Sequence, residues 1–150
     1  MTAWLVAFAE IAGLRWVLDQ ERMAFTSRAA ARARRIDVGD GLVLYVTRGA
    51  FHNPTRDRSQ IAGLATVATP VRRLAPPVEI GGRAFAGGCD IGVEIVLPER
   101  QGIAFEPLIS KLTFIRRKDV WGQYLRAGLV ALPPSDFQVI RGAISKGVRS

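Results

Sequence analysis

Val38-Gly-Asp-Gly-Leu-Val-Leu-Tyr-Val-Thr47 is the stretch from which the rest of the chain is read. Asp37-Val-Gly-Asp-Gly41 is a cluster of turn formers, and the apolar run Leu42–Val46 follows it with Thr47 at its end. An apolar run of this length beside a turn predicts a strand over Leu42–Thr47. Side chains alternate along a strand, so Tyr45 and Thr47 share one side and Leu44 and Val46 the other. With Leu44 and Val46 in the core, Tyr45 and Thr47 face a pocket or a packed helix. Upstream, Thr26 or Ser27 can cap Arg28–Ile36, which is rich in helix formers and ends at the same turn. Trp4–Ala9 is a continuous apolar run of strand length, consistent with burial on both faces. Ile11, Leu14, Val17 and Leu18 recur at helical spacing, which predicts a helix over Ala12–Ala24. Downstream, Gly49–Ser59 is a polar loop and Gln60–Thr69 a strand, where Gly63 permits a bulge or a close backbone approach. Arg72–Gly88, broken by Pro76-Pro77 and two glycine pairs, reads as a connector holding a short strand near Val78–Phe85. Asp90–Leu97 reads as a strand and Phe105–Leu112 as a short helix or turn. A closing helix, Asp136–Ile144, is capped by Ser135 or Asp136. No repeat or linker divides the chain, so the expectation is one α+β, barrel-like domain over residues 1–150.

Composition narrows the function. The chain has 150 residues, 49% hydrophobic and 23% charged, a balance that suits a packed globular domain. Its net charge is +8 with a pI near 11.0, and 18 of its 21 basic residues are arginines. Arginine suits phosphate because its planar fork donates two parallel hydrogen bonds and stacks on bases. A GC-rich genome, which raises Arg and Ala without any function, is the alternative source of this bias. One cysteine, Cys89, forms no internal disulfide, and one histidine, His52, builds no His-rich metal site; no metal or cofactor is expected. A nucleophile–base arrangement would have to use His52, which lies in a polar loop with no nearby motif, so catalysis is not expected. Ala3–Ala9 resembles the apolar part of a signal peptide. It has no basic segment before it and Glu10 directly after it, so it is read as a buried strand. The expected setting is the cytoplasm, with no membrane partner.

Particular residues in a particular order add a resemblance. Trp4-Leu-Val, Phe25 ahead of a basic helix, Val38-Gly-Asp40, Leu44–Thr47 and Ile61-Ala-Gly63 are followed by Pro107-Leu108, Leu112-Thr-Phe-Ile115, Trp121-Gly122, Arg126 and Asp136-Phe137. From Trp4 to about Ile144 this order resembles the EVE domain, a PUA-like family similar in architecture to the YTH domain. The resemblance implies a curved β-barrel with flanking helices. It also implies a pocket where the first strand, the start of the basic helix and the Tyr45–Thr47 strand converge. Such pockets take a modified or flipped-out base, and several relatives stand beside restriction or RNA-modification systems. Thr26-Ser27-Arg28 and three alanines stand where the family often has Asn or an aromatic, a departure that counts against an aromatic cage of the YTH kind.

The function expected from these residues is nucleic-acid binding, RNA or DNA, with a single base, unmodified or methylated, held beside a basic surface. Arg28, Arg32 and Arg35 fall on one face of the expected helix and are the candidate phosphate contacts, with the helix dipole adding to them. Trp121 sits amid cations, the mixture that single strands and extruded bases use. Phe8, Phe25, Tyr45 and Trp121 are the candidate apolar lining of the base pocket. Thr26, Ser27, Thr47 and Arg126 are its candidate polar groups. Trp4 and Trp16 are read as core. The alternative is a domain that binds a small molecule or nucleotide without catalysis.

Overall fold

In the computed structural model, which describes residues 2–149, the chain runs through eight strands and three α-helices. In order these are β1 (Ala3–Phe8), α1 (Ile11–Gln20), β2 (Arg22–Phe25), α2 (Ala30–Ala33), β3 (Gly41–Val46), β4 (Gln60–Val67), β5 (Arg72–Ile80), β6 (Arg83–Val96), β7 (Ile103–Ala104), β8 (Leu129–Leu132) and α3 (Pro134–Arg149). Turns of 3-10 helix cover Ser27–Ala29, Glu106–Lys111 and Lys118–Leu125. The strands form one mixed sheet in the order β2-β6-β4-β3-β1-β8, with β5 added to β6 and β7 to β4. The sheet curls into a half-barrel with the helices at its sides, an α+β fold.

The middle of the sheet is covered on both faces, which is why its strands are apolar at successive positions. Trp4, Val6 and Phe8 of β1 join Leu42, Leu44 and Val46 of β3 on one face, under Leu14 and Val17 of α1. Ala3, Leu5, Val43 and Tyr45 point the other way, toward Phe105, Leu112 and α3 residues such as Ile140 and Ile144. Burying each Leu or Ile of this set stabilises the fold by about 1.5–3 kcal/mol. β1 and β3 run parallel with Phe8 opposite Val46, so both strands end at the same level. In the β3–β4 ladder Leu44 pairs with Gly63 and Tyr45 with Ile61, leaving Ala62 as a bulge. Gly63 is needed where it stands: a Cβ there would lie 2.2 Å from the Ile95 carbonyl oxygen of β6.

Two buried carboxylates tie the layers together. Asp40 accepts hydrogen bonds from the backbone N–H of Thr2 (3.1 Å) and Asp37 (2.9 Å) and from the Trp4 indole (3.0 Å). The Gly-Asp turn therefore anchors the first strand, and Trp4 is core. Burial pushes the Asp40 carboxyl up, but these three donors outweigh it and hold its pKa below the ordinary 3.8. Asp136 accepts from Thr113 N (2.8 Å), Thr113 Oγ1 (2.9 Å) and Phe114 N (2.8 Å). It fixes the strap beneath α3 rather than capping that helix, which begins at Pro134.

Four local expectations are corrected. The helix expected over Ala12–Ala24 stops at Gln20 because Glu21 turns left-handed (φ 49°), and Arg22–Phe25 pairs with β6. The helix expected over Arg28–Ile36 is one 3-10 turn and one α turn, without a side-chain cap from Thr26. After Ala33 the backbone tightens into turns, with Arg35 N bonded to Arg32 O and Ile36 N to Ala33 O, and Asp40 accepts the Asp37 N–H. Arg72–Gly88 is no connector: β5 and β6 form a long hairpin arm around the two-residue turn Gly81-Gly82, both at positive φ. The prolines are absorbed in the bulge between the pairs Arg73–Gly87 and Val78–Phe85, on an edge strand that tolerates them. Strand β8, pairing with β1, has no counterpart among the expected elements.

Candidate functional site

A cleft of about 680 Å3 opens where β1 and β3 end. Its buried lining includes Phe8, Phe25, Tyr45, Ser59 and Leu125, and its exposed lining includes Arg28, Arg48, Arg83 and Arg126. The result is a largely apolar floor inside a cationic rim. β1 supplies Phe8, and the segment after β2 supplies Thr26 and Arg28. β3 and its exit supply Tyr45, Thr47 and Arg48. The hairpin arm closes another side: a Cβ built on Gly81 would lie 3.9 Å from Ala12 at the start of α1, so the arm's tip meets that helix. Ile80, Arg83 and Phe85 reach the cleft from this arm. The 3-10 segment Lys118–Leu125 delivers Trp121, with Arg126 directly after it.

Aromatic packing supports the floor from behind. Phe105 stands edge-on to Tyr45 (4.9 Å between ring centres, 73°) and tilted against Trp121 (5.7 Å, 46°). This fixes both rings from the α3 side of the sheet. Burial raises the Tyr45 pKa above its ordinary 10.0, so the phenol stays neutral and able to donate. At the rim, Glu10 pairs with His52 at 2.9 Å, and Glu106 is the second acidic lining residue. Among the described residues, the guanidinium groups of Arg28, Arg48, Arg83 and Arg126 have no ion pair or hydrogen bond. Arg15, Arg22, Arg100, Arg117 and Arg141, by contrast, all have a carboxylate within ion-pair distance.

The residues singled out from sequence divide clearly in space. Phe8, Phe25, Thr26, Tyr45, Thr47, Trp121 and Arg126 all line the cleft, together with Arg28. Ser27 is exposed and lies outside the lining. Arg32 donates to the Leu129 carbonyl (3.0 Å), and Arg35 lies over the Trp4 ring (5.9 Å), so neither extends into the cleft. Their row with Arg28 does not form because the helix that would align them is a single turn. Arg126 has no bond to Asp119, which is held instead by Arg117 (3.0 Å). Sequence reading missed Arg48, Ser59, Arg83, Phe85 and Glu106. Arg48 was findable as the residue after a strand end, but Arg83 and Phe85 were hidden by reading their hairpin as a connector.

Burial, with help from Asp90, pushes the Cys89 thiol up to about 11, and Cys89 is not among the lining residues. Among the described residues no group of three or more His, Cys, Asp or Glu side chains could hold a metal ion. No helix of these residues is long and apolar enough to cross a membrane.

The Mmi1 YTH domain matches with a TM-score of 0.68 at 7% identity, over 99% of this chain and 91% of that one. The fold is YTH-like. The same domain in its complex with RNA matches with a TM-score of 0.65 at 9% identity, over 99% of this chain and 87% of that one. A Pseudomonas putida protein from structural genomics matches at 0.62 and 13% identity, over 94% and 98% of the two chains. By sequence, the chain is similar to the UPF0310 protein msl3206 of Mesorhizobium japonicum, 27% identical over 96% of this chain and 93% of the relative. No family model matches the chain.

Proposed function

We propose that this protein is a nucleic-acid-binding domain of the EVE type, which seats one base of a single strand in the cleft and performs no catalysis itself. The observation that carries this reading is the cleft's composition: Phe8, Phe25, Tyr45 and Trp121 in the lining, and Arg28, Arg48, Arg83 and Arg126 without partners at the rim. Stacking faces inside a cationic rim hold a base and its neighbouring phosphates by two separate forces, dispersion and charge. A single strand is favoured because taking a base out of a duplex costs a few kcal/mol. The RNA complex of the YTH-like neighbour supports the nucleic-acid reading, and the residue order from Trp4 to Asp136-Phe137 supports the EVE assignment. That assignment extends the proposal to methylated bases, in RNA or DNA, and the lone buried thiol suits a cytoplasmic setting.

A second reading rests on volume. About 680 Å3 lies within the ~300–1,000 Å3 of small-molecule sites, so the cleft also fits a free nucleotide. An array of modified and unmodified RNA and DNA oligonucleotides, read at several salt concentrations, separates the two. The proposal expects one base to be preferred and affinity to fall steeply between about 50 and 200 mM salt. Flat affinity over that range, with mononucleotides bound as tightly as strands, would favour the second reading.

A further inference from the structure

Ser59 stands immediately before β4, and its carbonyl accepts a hydrogen bond from Phe105 N at 3.1 Å, which fixes its backbone. Its side chain is treated differently. The residue is only 6% exposed and lines the cleft, yet its Oγ has no hydrogen-bond partner. The Tyr45 phenol adjoins it and interacts with it closely enough to pull the Tyr45 pKa down against the upward push of burial, but the two hydroxyls do not meet in regular hydrogen-bond geometry. Among the described residues just one other buried side-chain polar atom is left in this state, Asp57 Oδ2, and Asp57 lies outside the cleft with Arg100 at 3.4 Å from its other oxygen. A buried hydroxyl without a partner costs about 1–3 kcal/mol. With the loosely placed Tyr45 phenol beside it, Ser59 Oγ can bond to a ligand in the cleft without breaking a regular hydrogen bond.

We propose that the Ser59 and Tyr45 hydroxyls are the groups that read the hydrogen-bonding edge of a ring seated in the cleft, so that the floor takes an uncharged heterocycle and the rim takes its phosphates. The assignment rests on the nucleic-acid reading above. Hydroxyls suit a base edge because each can donate or accept, and the apolar surroundings strengthen each bond made. An anion is disfavoured at the same place, because the Glu106 carboxylate lies close enough to raise the Tyr45 pKa. The cations stand apart from the floor, on exposed residues. Phosphate and base are thus sorted by depth.

The test uses nine-residue strands, RNA and DNA, carrying one base on an otherwise abasic backbone, compared with the fully abasic strand. The parent protein should bind its best single-base strand more tightly than the abasic one. Ser59→Ala and Tyr45→Phe should each remove about three- to tenfold of that preference and leave affinity for the abasic strand unchanged. Ser59→Ala should also unfold at a denaturant concentration no lower than the parent's, since it deletes a group that folding leaves unsatisfied. Full base preference in Ser59→Ala, or a clear drop in its stability, would overturn the assignment. Equal binding of base-bearing and abasic strands by the parent would overturn it too, while sparing the basic rim. A parent that binds no strand at all refutes the nucleic-acid reading and this assignment with it.

Discussion

Asp136 and Ser59 are both buried polar side chains, and the molecule treats them in opposite ways. Asp136 accepts three hydrogen bonds from Thr113 and Phe114 and locks the strap under α3. Ser59 Oγ, at the cleft floor, has none. The arginines divide less sharply: the guanidinium groups of the four at the rim have no partner among the described residues, but neither do those of Arg34, Arg56, Arg58 and Arg116 outside the cleft, while Arg15, Arg100 and Arg141 have acidic partners. The contrast separates parts that hold the fold from parts held open. Groups satisfied inside the chain cannot also bind a ligand without breaking something, and groups left unsatisfied cost stability until a ligand arrives.

Breaking the satisfied side should have the largest effect. Asp136→Ala leaves two backbone N–H groups and a hydroxyl without their acceptor and should cost about 3 kcal/mol or more of stability, read as a lower urea midpoint. A cost under about 1 kcal/mol would show that water replaces the carboxylate easily and would blur the contrast. Trp121→Ala tests the other side. Loss of stacking should weaken binding of a base-bearing strand by roughly 1–3 kcal/mol, with some loss of stability from its Phe105 contact. An abasic strand should lose less.

Asp40→Asn is expected to fall next, at about 1–2 kcal/mol, because the amide accepts fewer of the three bonds. Its pH dependence has a definite sign. The folded pKa lies below the ordinary 3.8, so the contribution is fully present above about pH 4 and is lost as pH falls through the folded value. Stability of the Asn variant should therefore fall less steeply below pH 4 than that of the parent; equally steep acid limbs would contradict the assignment. Arg35→Gln should do least. It lies over Trp4 and outside the cleft, so strand binding should stay within about twofold and stability within about 0.5 kcal/mol. A tenfold loss of binding would return Arg35 to the phosphate contacts.

How much was legible follows from what each signal measures. β1 and β3 were readable because burial on both faces writes itself as an unbroken apolar run. β2 and β8 were not, because Arg22–Phe25 and Leu129–Leu132 become strands by pairing with distant β6 and β1, which local propensity does not record. The arm was misread because proline and glycine pairs mark both loops and hairpins, and only the pairing register tells them apart. For the site, Phe8, Tyr45 and Thr47 at the ends of readable strands could be named from sequence, and Phe25 from the resemblance. The arginine row failed because helical spacing gives a common face only while the helix lasts. Ser59 carried no signal: an unpartnered hydroxyl is a property of its surroundings, not of its neighbours in sequence.

On the proposed reading, strands bind through the four rim arginines rather than through net positive charge. Two variants with the same charge test it: Arg28, Arg48, Arg83 and Arg126 changed to Gln, and Arg34, Arg56, Arg58 and Arg116, outside the cleft lining, changed to Gln. The measurement is the slope of log Kd against log salt for a single-stranded oligonucleotide. Each lost phosphate contact on a single strand reduces the slope by about 0.7, so the cleft variant should become nearly flat, with affinity lowered at least tenfold. The control variant should stay close to the parent. Equal losses in both variants would mean that the protein is merely a basic surface and that the cleft is not where strands bind.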